Sequence, residues 1–343
     1  MSQLPFHIAR WDLDKTYLRT DFATVKDLIR TALERPDEKR TNPGASTLLR
    51  EMGRAGVQIH ILSGSPEQMR SRLEDKLRLD GIVWESFTLK PNLQNMLRLR
   101  FRALRDQLGY KLPALLYRRA TLPPEVAEAG VLETLFGDDA EADAFVYSLY
   151  GDVVAGRVTE NELTDVCENG RVYEDVTQTI LATARLIPRK PIVERILIHL
   201  EGQSPPDDFH VYGMRVVPFY NYLQAAFVVF EDGRIPAESV LRVAVELAVQ
   251  HRFDGDALAR SYAEIARRGH LRGVRVAEFE SALETWARPA AAAALAELEV
   301  MVKNLPGYAQ VAREAHRGDE HTPVPDYAKL VLGHNKRRKK KQD

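Results

Sequence analysis

Short apolar runs alternate with amphipathic stretches over residues 1–150, and this alternation constrains the fold more than any other feature of the chain. Runs such as 57–62 and 132–136 have the apolar character of buried strands, while the stretches between them carry apolar residues at helical spacing. Strands that alternate with helices pair in parallel, because each helix returns the chain to the same end of the sheet. We therefore predict an α/β fold with a Rossmann-like parallel sheet and helices on both faces.

The helical periodicity divides the chain into two regions. The first region is predicted to form helices over 23–33, 47–55, 66–79 and 93–108, and a further apolar run at 196–200 is typical of a core strand. From Pro236 the strand signals stop, and helices are predicted over 240–251, 255–268, 276–286 and 290–302. We therefore predict an α/β domain over 1–232, a small all-α C-terminal module over 236–318, and a linker with a basic tail over 319–343.

Composition excludes several classes of protein. With 45% hydrophobic and 28% charged residues, the chain has an ordinary globular composition. Its single cysteine, Cys167, excludes an internal disulfide framework, and we interpret this residue as a packing residue. No stretch reaches the roughly 20 apolar residues of a membrane-spanning helix, and the N-terminus lacks the pattern of a signal peptide. The predicted location is the cytoplasm.

The basic tail is the main charge asymmetry of the sequence. Residues 336–341 are six consecutive cations, whereas the whole chain has a net charge of -1. Such a run attracts anionic lipid or nucleic acid, or it forms a solvated terminus without a partner. No aromatic residue is interleaved in the run, which disfavours single-stranded nucleic acid as a partner. The predicted helix over 93–108 has the same two interpretations, a solvated face or an anion-attracting rim, for its arginines Arg98, Arg100, Arg102 and Arg105.

Polar residues with complementary chemistry follow four of the predicted strands. Asp12 and Asp14 end the first strand with Thr16 beside them, Ser63 ends the second, Lys90 ends the third, and Asp138 ends the fourth. In a parallel sheet the carboxyl ends of the strands meet at one edge, where ligands bind. Asp-x-Asp alone also occurs on solvated loops. Together, however, these side chains supply a nucleophile, metal ligands and groups that bind phosphate.

The order of these motifs resembles the haloacid dehalogenase-like (HAD) superfamily of phosphohydrolases. The resemblance covers residues 8–150 and includes the segments Asp12-Leu13-Asp14-Lys15-Thr16 and Leu62-Ser63-Gly64-Ser65-Pro66. It also includes Lys90 and the cluster Gly137-Asp138-Asp139-Ala140-Glu141-Ala142-Asp143. Together with Asn42-Pro43-Gly44-Ala45, these motifs look like the App1-type phosphatidate phosphatase branch. Lys15 and the long tract between Lys90 and Gly137 depart from that branch.

The resemblance implies a Mg²⁺-dependent phosphatase with a minimal cap, since the stretch between Tyr17 and Pro43 is too short for a separate cap domain. Asp12 is then the nucleophile, Asp14 the general acid and base, and Ser63 and Lys90 bind the substrate phosphate. Asp12, the backbone carbonyl of Asp14 and Asp138 hold the metal, and Asp139 or Asp143 completes the site. The substrate is a phosphomonoester, for which phosphatidate, an anionic lipid, is one candidate.

Two alternatives are open at this point. One is a small-metabolite or nucleotide phosphatase of the same superfamily. The other is a non-catalytic module that binds Mg²⁺ and phosphate without turnover, although the presence of Asp14 argues against it. His199 and His210 lie beside apolar runs and are interpreted as structural residues without an assigned role. The sequence does not indicate the oligomeric state.

Overall fold

The structure is a computed structural model that describes residues 7–19, 40–90, 104–140, 142–287, 292–316 and 324–340. Several predicted segments lie outside these ranges. They are the whole helix over 23–33, most of the basic helix over 93–108, the start of the helix over 290–302, and parts of the linker and tail.

In the described part of the chain, six parallel strands form one sheet, in the order β3-β2-β1-β4-β5-β6. Helices surround this sheet and continue to the C-terminus, which confirms the predicted α/β, Rossmann-like class. The strands are β1 (His7–Trp11), β2 (Gln58–Pro66), β3 (Ser86–Lys90), β4 (Leu132–Asp138), β5 (Val193–His199) and β6 (Val216–Phe219).

The α-helices between and after the strands are numbered here in chain order. Those of the first part are α1 (Ala45–Arg54), α2 (Arg70–Leu79), α3 (Leu104–Ala120), α4 (Pro124–Glu128), α5 (Asp143–Val154), α6 (Glu160–Asn169), α7 (Glu174–Arg185) and α8 (Tyr222–Glu231). Those of the second part are α9 (Ala237–His251), α10 (Gly255–Arg267), α11 (Glu278–Ala282), α12 (Leu295–Ala315) and α13 (Tyr327–Lys340). A π-helix (Leu283–Ala287) follows α11.

Alternation along the strands divides the core into two halves, one on each face of the sheet. On β5, Leu197 packs into one hydrophobic cluster while its neighbours Ile196 and Ile198 pack into the other. Successive side chains of a strand point to opposite faces, and both faces are covered by helices. This explains why the central strands are apolar on both sides.

The helices after residue 236 share one of these two clusters with the sheet. Trp11 of β1 belongs to the same hydrophobic cluster as Leu241 of α9, Tyr262 of α10 and Leu305 of α12. One continuous core therefore crosses the predicted boundary at residue 236.

Helix α13 begins inside the region that was predicted as linker and tail. Tyr327 and Val331 are buried in the second cluster, and the Tyr327 hydroxyl donates to Asp152 of α5. None of the helices in the described ranges combines the length and apolar character required to cross a bilayer.

Several elements were not predicted, among them α4, α6, α7, α8 and β6. Strand β6 is short, and α8 is buried along its whole length. A helix that is apolar all round has no amphipathic period, so periodicity does not identify it.

Candidate active site

The strand order reverses between β1 and β4, which are neighbours in the sheet although β2 and β3 separate them in the chain. The Asp12 backbone N–H, just beyond β1, donates to the Phe136 carbonyl of β4 at 3.0 Å. The aromatic rings of Trp11 and Phe136 stack immediately before this point, with centroids 3.8 Å apart. In open parallel sheets, ligands bind at the carboxyl ends of the strands where the order reverses.

Three buried carboxylates meet at this position. Asp12 follows β1, Asp138 ends β4, and Asp143 is the first residue of α5; each offers an oxygen within 4.8 Å of the others. The carboxylate of Asp143 accepts the backbone N–H of Asp138 at 3.2 Å. A Cβ atom on Gly137 would overlap the side chain of Asp143, so the end of β4 requires glycine at this position.

Asp139 and Asp143, the two candidates for the remaining metal ligand, have different surroundings in the structure. Asp143 lies in the carboxylate cluster, whereas Asp139 accepts the backbone N–H groups of Gly202 at 2.6 Å and Ser204 at 2.8 Å. Asp139 therefore holds the loop that follows β5.

A buried lysine that the sequence interpretation did not select contacts this cluster. The Nζ atom of Lys111, on α3, lies 3.2 Å from Asp12 Oδ1 and donates to Asp143 in a short contact. Lys111 shares the apolar face of α3 with Leu108 and Leu115, at helical spacings of three and four residues. A charged residue within an apolar stripe was the sequence signal that could have identified it.

Lys90, the predicted phosphate-binding lysine, ends the edge strand β3. Its Nζ atom lies 5.8 Å from the centroid of the Tyr110 ring. The Tyr110 hydroxyl donates to the Ser63 carbonyl at 2.8 Å, so Lys90 lies beside the segment that carries Ser63. Lys111 is a second lysine of this region, and its ammonium group contacts the carboxylate cluster directly.

Two serines from the end of β2 hold the side chain of Asp14. The hydroxyls of Ser63 and Ser65 donate to the same oxygen, Asp14 Oδ2, at 2.9 and 2.8 Å. The Ser65 backbone N–H also donates to Ser63 Oγ at 3.0 Å. Ser63 was predicted as a phosphate ligand, whereas Ser65 was part of the motif without an assigned role. In the structure both orient Asp14.

The turn after Asp14 has an unusual backbone conformation. Lys15 adopts a φ of 60°, in the left-handed region that side chains disfavour. Its carbonyl faces His199 Nδ1 at 3.2 Å, and the carbonyl of Thr16 accepts the Tyr222 hydroxyl in a short contact. The Asn42 side-chain amide donates to both carbonyls, at 2.9 and 2.7 Å.

Burial determines the protonation of these donors. It lowers the pKa of His199, so the imidazole is neutral near pH 7 and its Nδ1 carries the proton that the Lys15 carbonyl accepts. Burial also raises the pKa of Tyr222, with a further contribution from Asp138 and Asp12, so its hydroxyl stays protonated and donates.

The donor set fits a hard divalent cation. The site is buried and contains three carboxylates, those of Asp12, Asp138 and Asp143, beside one ammonium group, that of Lys111. The formal charge of these four groups is therefore -2. Carboxylate oxygens are the ligands that Mg²⁺ and Ca²⁺ prefer, and buried charge requires compensation. Asp12, Asp138 and Asp143 could therefore hold a metal ion of the kind that the sequence resemblance implies.

Comparisons with protein-family models, with curated proteins and with solved structures gave no match to this chain.

Proposed function

We propose that this chain is a Mg²⁺-dependent phosphohydrolase of the HAD-like type, acting on a phosphomonoester through an aspartyl-phosphate intermediate. The observation that carries the proposal is the meeting of Asp12, Asp138 and Asp143 with the ammonium group of Lys111 at the point where the strand order reverses. Asp14 lies on the same turn as Asp12, and its two serine donors come from the end of β2. Carboxylates, a cation and a positioned second acid are the groups that phosphoryl transfer to an aspartate requires.

Each residue has a distinct role in this proposal. Asp12, Asp138 and Asp143 would hold Mg²⁺, together with the backbone carbonyl of Asp14, and the ion would supply positive charge to the phosphoryl group. Lys111 binds a phosphoryl oxygen and takes the role that the sequence interpretation gave to Lys90. Ser63 and Ser65 each donate a hydroxyl proton to Asp14 and orient it, so the phosphate role predicted for Ser63 would require its hydroxyl to turn from Asp14 to a phosphoryl oxygen.

The proposed reaction has two steps. A carboxylate oxygen of Asp12 attacks phosphorus, the bond to the leaving oxygen breaks, and Asp14 donates a proton to that oxygen. Asp14 then accepts a proton from water, whose oxygen attacks the phosphorus of the aspartyl-phosphate. Inorganic phosphate leaves and the Asp12 carboxylate is restored. Because Ser63 and Ser65 hold one oxygen of Asp14, they fix the direction of the other.

The first test is turnover of p-nitrophenyl phosphate with and without Mg²⁺. We expect Asp12→Asn to abolish Mg²⁺-dependent turnover, because it removes the nucleophile and one metal ligand with little change in volume. Asp14→Asn should lower kcat by roughly 10²- to 10⁴-fold, the usual contribution of one general acid-base residue. Asp165→Asn, at an exposed position of α6, is the matched control and should keep full activity.

Circular dichroism should show that each variant is folded. Full turnover by Asp12→Asn would contradict the mechanism. Binding of Mg²⁺ and inorganic phosphate without any turnover would instead indicate the non-catalytic module. A panel that contains phosphatidate, nucleotides and sugar phosphates would then separate a lipid phosphatase from a small-metabolite phosphatase.

A further inference from the structure

Three side chains from distant parts of the chain converge on two consecutive backbone carbonyls, those of Lys15 and Thr16. Asn42 precedes α1, His199 ends β5, and Tyr222 begins α8. We call these three residues the carbonyl clamp. All three are buried, with exposed fractions of 1%, 7% and 0%.

The clamp provides two hydrogen-bond donors to each of the two carbonyl oxygens. The Lys15 oxygen contacts Asn42 Nδ2 and His199 Nδ1, and the Thr16 oxygen contacts Asn42 Nδ2 and the Tyr222 hydroxyl. A carbonyl oxygen has two lone pairs, so each has a donor for both. Asn42 must present its NH₂ group here, since an oxygen would face two other oxygens.

The hydrogen bonds of the clamp hold Lys15 in its left-handed backbone conformation. A left-handed φ is unfavourable for a lysine and persists only where its surroundings enforce it. The φ angle of Lys15 sets the direction of the preceding peptide relative to its own carbonyl, and that peptide contains the Asp14 carbonyl. Fixing the Lys15 carbonyl at this φ therefore also fixes where the Asp14 carbonyl points.

Asn42 is itself held in place by neighbouring elements. Its backbone N–H donates to the Tyr17 carbonyl at 2.9 Å, and its own carbonyl accepts the Ala45 N–H at 3.0 Å. Next to it, the Gly44 N–H donates to Glu246 of α9 at 2.9 Å. A Cβ on Gly44 would lie 3.0 Å from Tyr222 Cβ, so the segment that follows Asn42 packs closely against Tyr222.

We infer that Asn42, His199 and Tyr222 are positioning residues that hold the turn after Asp12 and Asp14 in the geometry that binds metal and reacts. This inference rests on the proposed function for its kinetic consequences. The dependence of the metal site on the clamp can be tested by Mg²⁺ binding alone, without turnover. None of the three residues is assigned contact with substrate.

The experiment removes one donor at a time with little change in shape. Asn42→Asp loses both amide donations, and Tyr222→Phe loses the hydroxyl. We expect kcat for p-nitrophenyl phosphate to fall roughly 10- to 100-fold, since misplacement of reacting groups by about 1 Å has effects of this size, while KM changes less than about twofold. Calorimetric titration of the metal-free chain, with no substrate present, should show Mg²⁺ affinity weakened by roughly 10-fold.

The role of His199 can be tested with one substitution that keeps its hydrogen-bond donor and one that removes it. His199→Asn retains a donor near the Nδ1 position, whereas His199→Leu removes it. We expect the asparagine variant to keep kcat and Mg²⁺ affinity within about threefold of the unaltered chain, and the leucine variant to lose both as Tyr222→Phe does. Tyr262→Phe removes another buried tyrosine hydroxyl, one that donates to Glu231, and serves as the control that should leave both measurements unchanged.

The outcomes separate this inference from the proposed function. If the unaltered chain binds Mg²⁺ but hydrolyses no ester, the proposed function fails, and the Mg²⁺ affinities of the variants still decide the role of the clamp. Affinity and kcat within twofold in Asn42→Asp and Tyr222→Phe would overturn the clamp. Equal losses in His199→Asn and His199→Leu would also overturn it, because they would indicate packing. A chain that neither binds Mg²⁺ nor shows turnover would overturn both ideas.

Discussion

Asp143 shows at the scale of one residue how the site is held together. Its carboxylate accepts the backbone N–H of Asp138, contacts the ammonium of Lys111, and occupies the space that a side chain at Gly137 would fill. An aspartate at the start of a helix is also favoured by the helix dipole. The same side chain thus begins α5, fixes the turn after β4 and contributes to the carboxylate cluster.

Lys111 permits a test of how buried charge is balanced. Lys111→Met removes the ammonium that contacts Asp12 and Asp143, and we expect the metal-free chain to lose about 3–5 kcal/mol of unfolding free energy, the usual effect of breaking a buried pair. Saturating Mg²⁺ should restore part of this loss, because the bound cation supplies compensating charge.

Urea denaturation with and without Mg²⁺ gives the measurement, and Lys90→Met is the matched control. We expect the control to destabilise the chain by less than about 1 kcal/mol, because Lys90 is only half-buried on an edge strand. Similar losses of stability and of phosphatase activity in both variants would contradict the assignment of Lys111.

At the scale of secondary structure elements, the pairing of β1 with β4 places the turn that carries Asp12 and Asp14. A buried ion pair joins these two strands: Arg10 donates to both oxygens of Glu133, at 2.7 and 2.8 Å. Arg119 of α3 and the Tyr150 hydroxyl of α5 donate to the same carboxylate. The helix that carries Lys111 and the helix that begins at Asp143 are thereby attached to the same strand pair.

Glu133→Gln tests this attachment. It leaves Arg10 and Arg119 buried without their shared anion, and we expect a loss of about 3–5 kcal/mol in unfolding free energy at pH 7. Burial alone would raise the pKa of Glu133, but Arg10 and its hydrogen bonds outweigh burial and hold the pKa below its usual value of 4.5. The stabilisation is therefore present above pH 4.5 and is lost as the pH falls below it.

Urea denaturation at pH 7 and at acidic pH provides the measurement. Glu67→Gln, which breaks an exposed contact with Arg70, should change stability by no more than about 1 kcal/mol. If Glu133→Gln were equally harmless, the ion pair would have no role in joining the strands.

At the scale of the whole molecule, one core connects the sheet to the C-terminal helices, and buried titratable groups make that core sensitive to acid. Burial lowers the pKa of His7 to about 3, of His60 to about 4 and of His270 to about 3. These residues lie on β1, on β2 and after α10. Protonation therefore acts on both predicted units of the chain.

The unfolding free energy should fall as the pH is lowered below 6.5. The unfolded chain binds protons at these histidines near pH 6.5, whereas the folded chain binds them only near the lowered values. The histidines therefore do not reduce the unfolding free energy above pH 6.5. Below it, each histidine reduces the unfolding free energy by about 1.4 kcal/mol per pH unit, which amounts to roughly 2 kcal/mol per histidine at pH 5.

Thermal denaturation between pH 7 and pH 5 measures this dependence. His60→Gln should flatten it, and His251→Gln, at an exposed position, should not. A stability that stays constant over this range would show that the three histidines are accessible to protons in the folded chain.

The basic tail has its own prediction at this scale. If the substrate is an anionic lipid, each cation contributes about 1 kcal/mol near the surface, and deletion of residues 336–343 should weaken liposome binding and raise KM on vesicles. Turnover of p-nitrophenyl phosphate should stay unchanged, because α13 docks through Tyr327 and Val331, which the deletion retains. Equal vesicle activity with and without the tail would leave the tail as a solvated terminus.

The sequence by itself determined the fold class, five of the six strands that the structure describes, and the positions of Asp12, Asp14, Ser63 and Asp138 near the carboxyl ends of three of these strands. These features follow from local periodicity and from the rule that parallel strands end at one edge. A segment that is buried on all sides has no amphipathic period, which is why α8 was not predicted.

Only the tertiary structure decided which side chains meet. It brought Asp143 into the carboxylate cluster, where its side chain fills the space beside Gly137, and it placed Asp139 against the loop that follows β5. It placed Lys111 against the cluster, and it gathered Asn42, His199 and Tyr222 on the turn after Asp14. Such contacts join residues far apart in the chain, and they depend on how helices pack on the sheet, which no local pattern encodes.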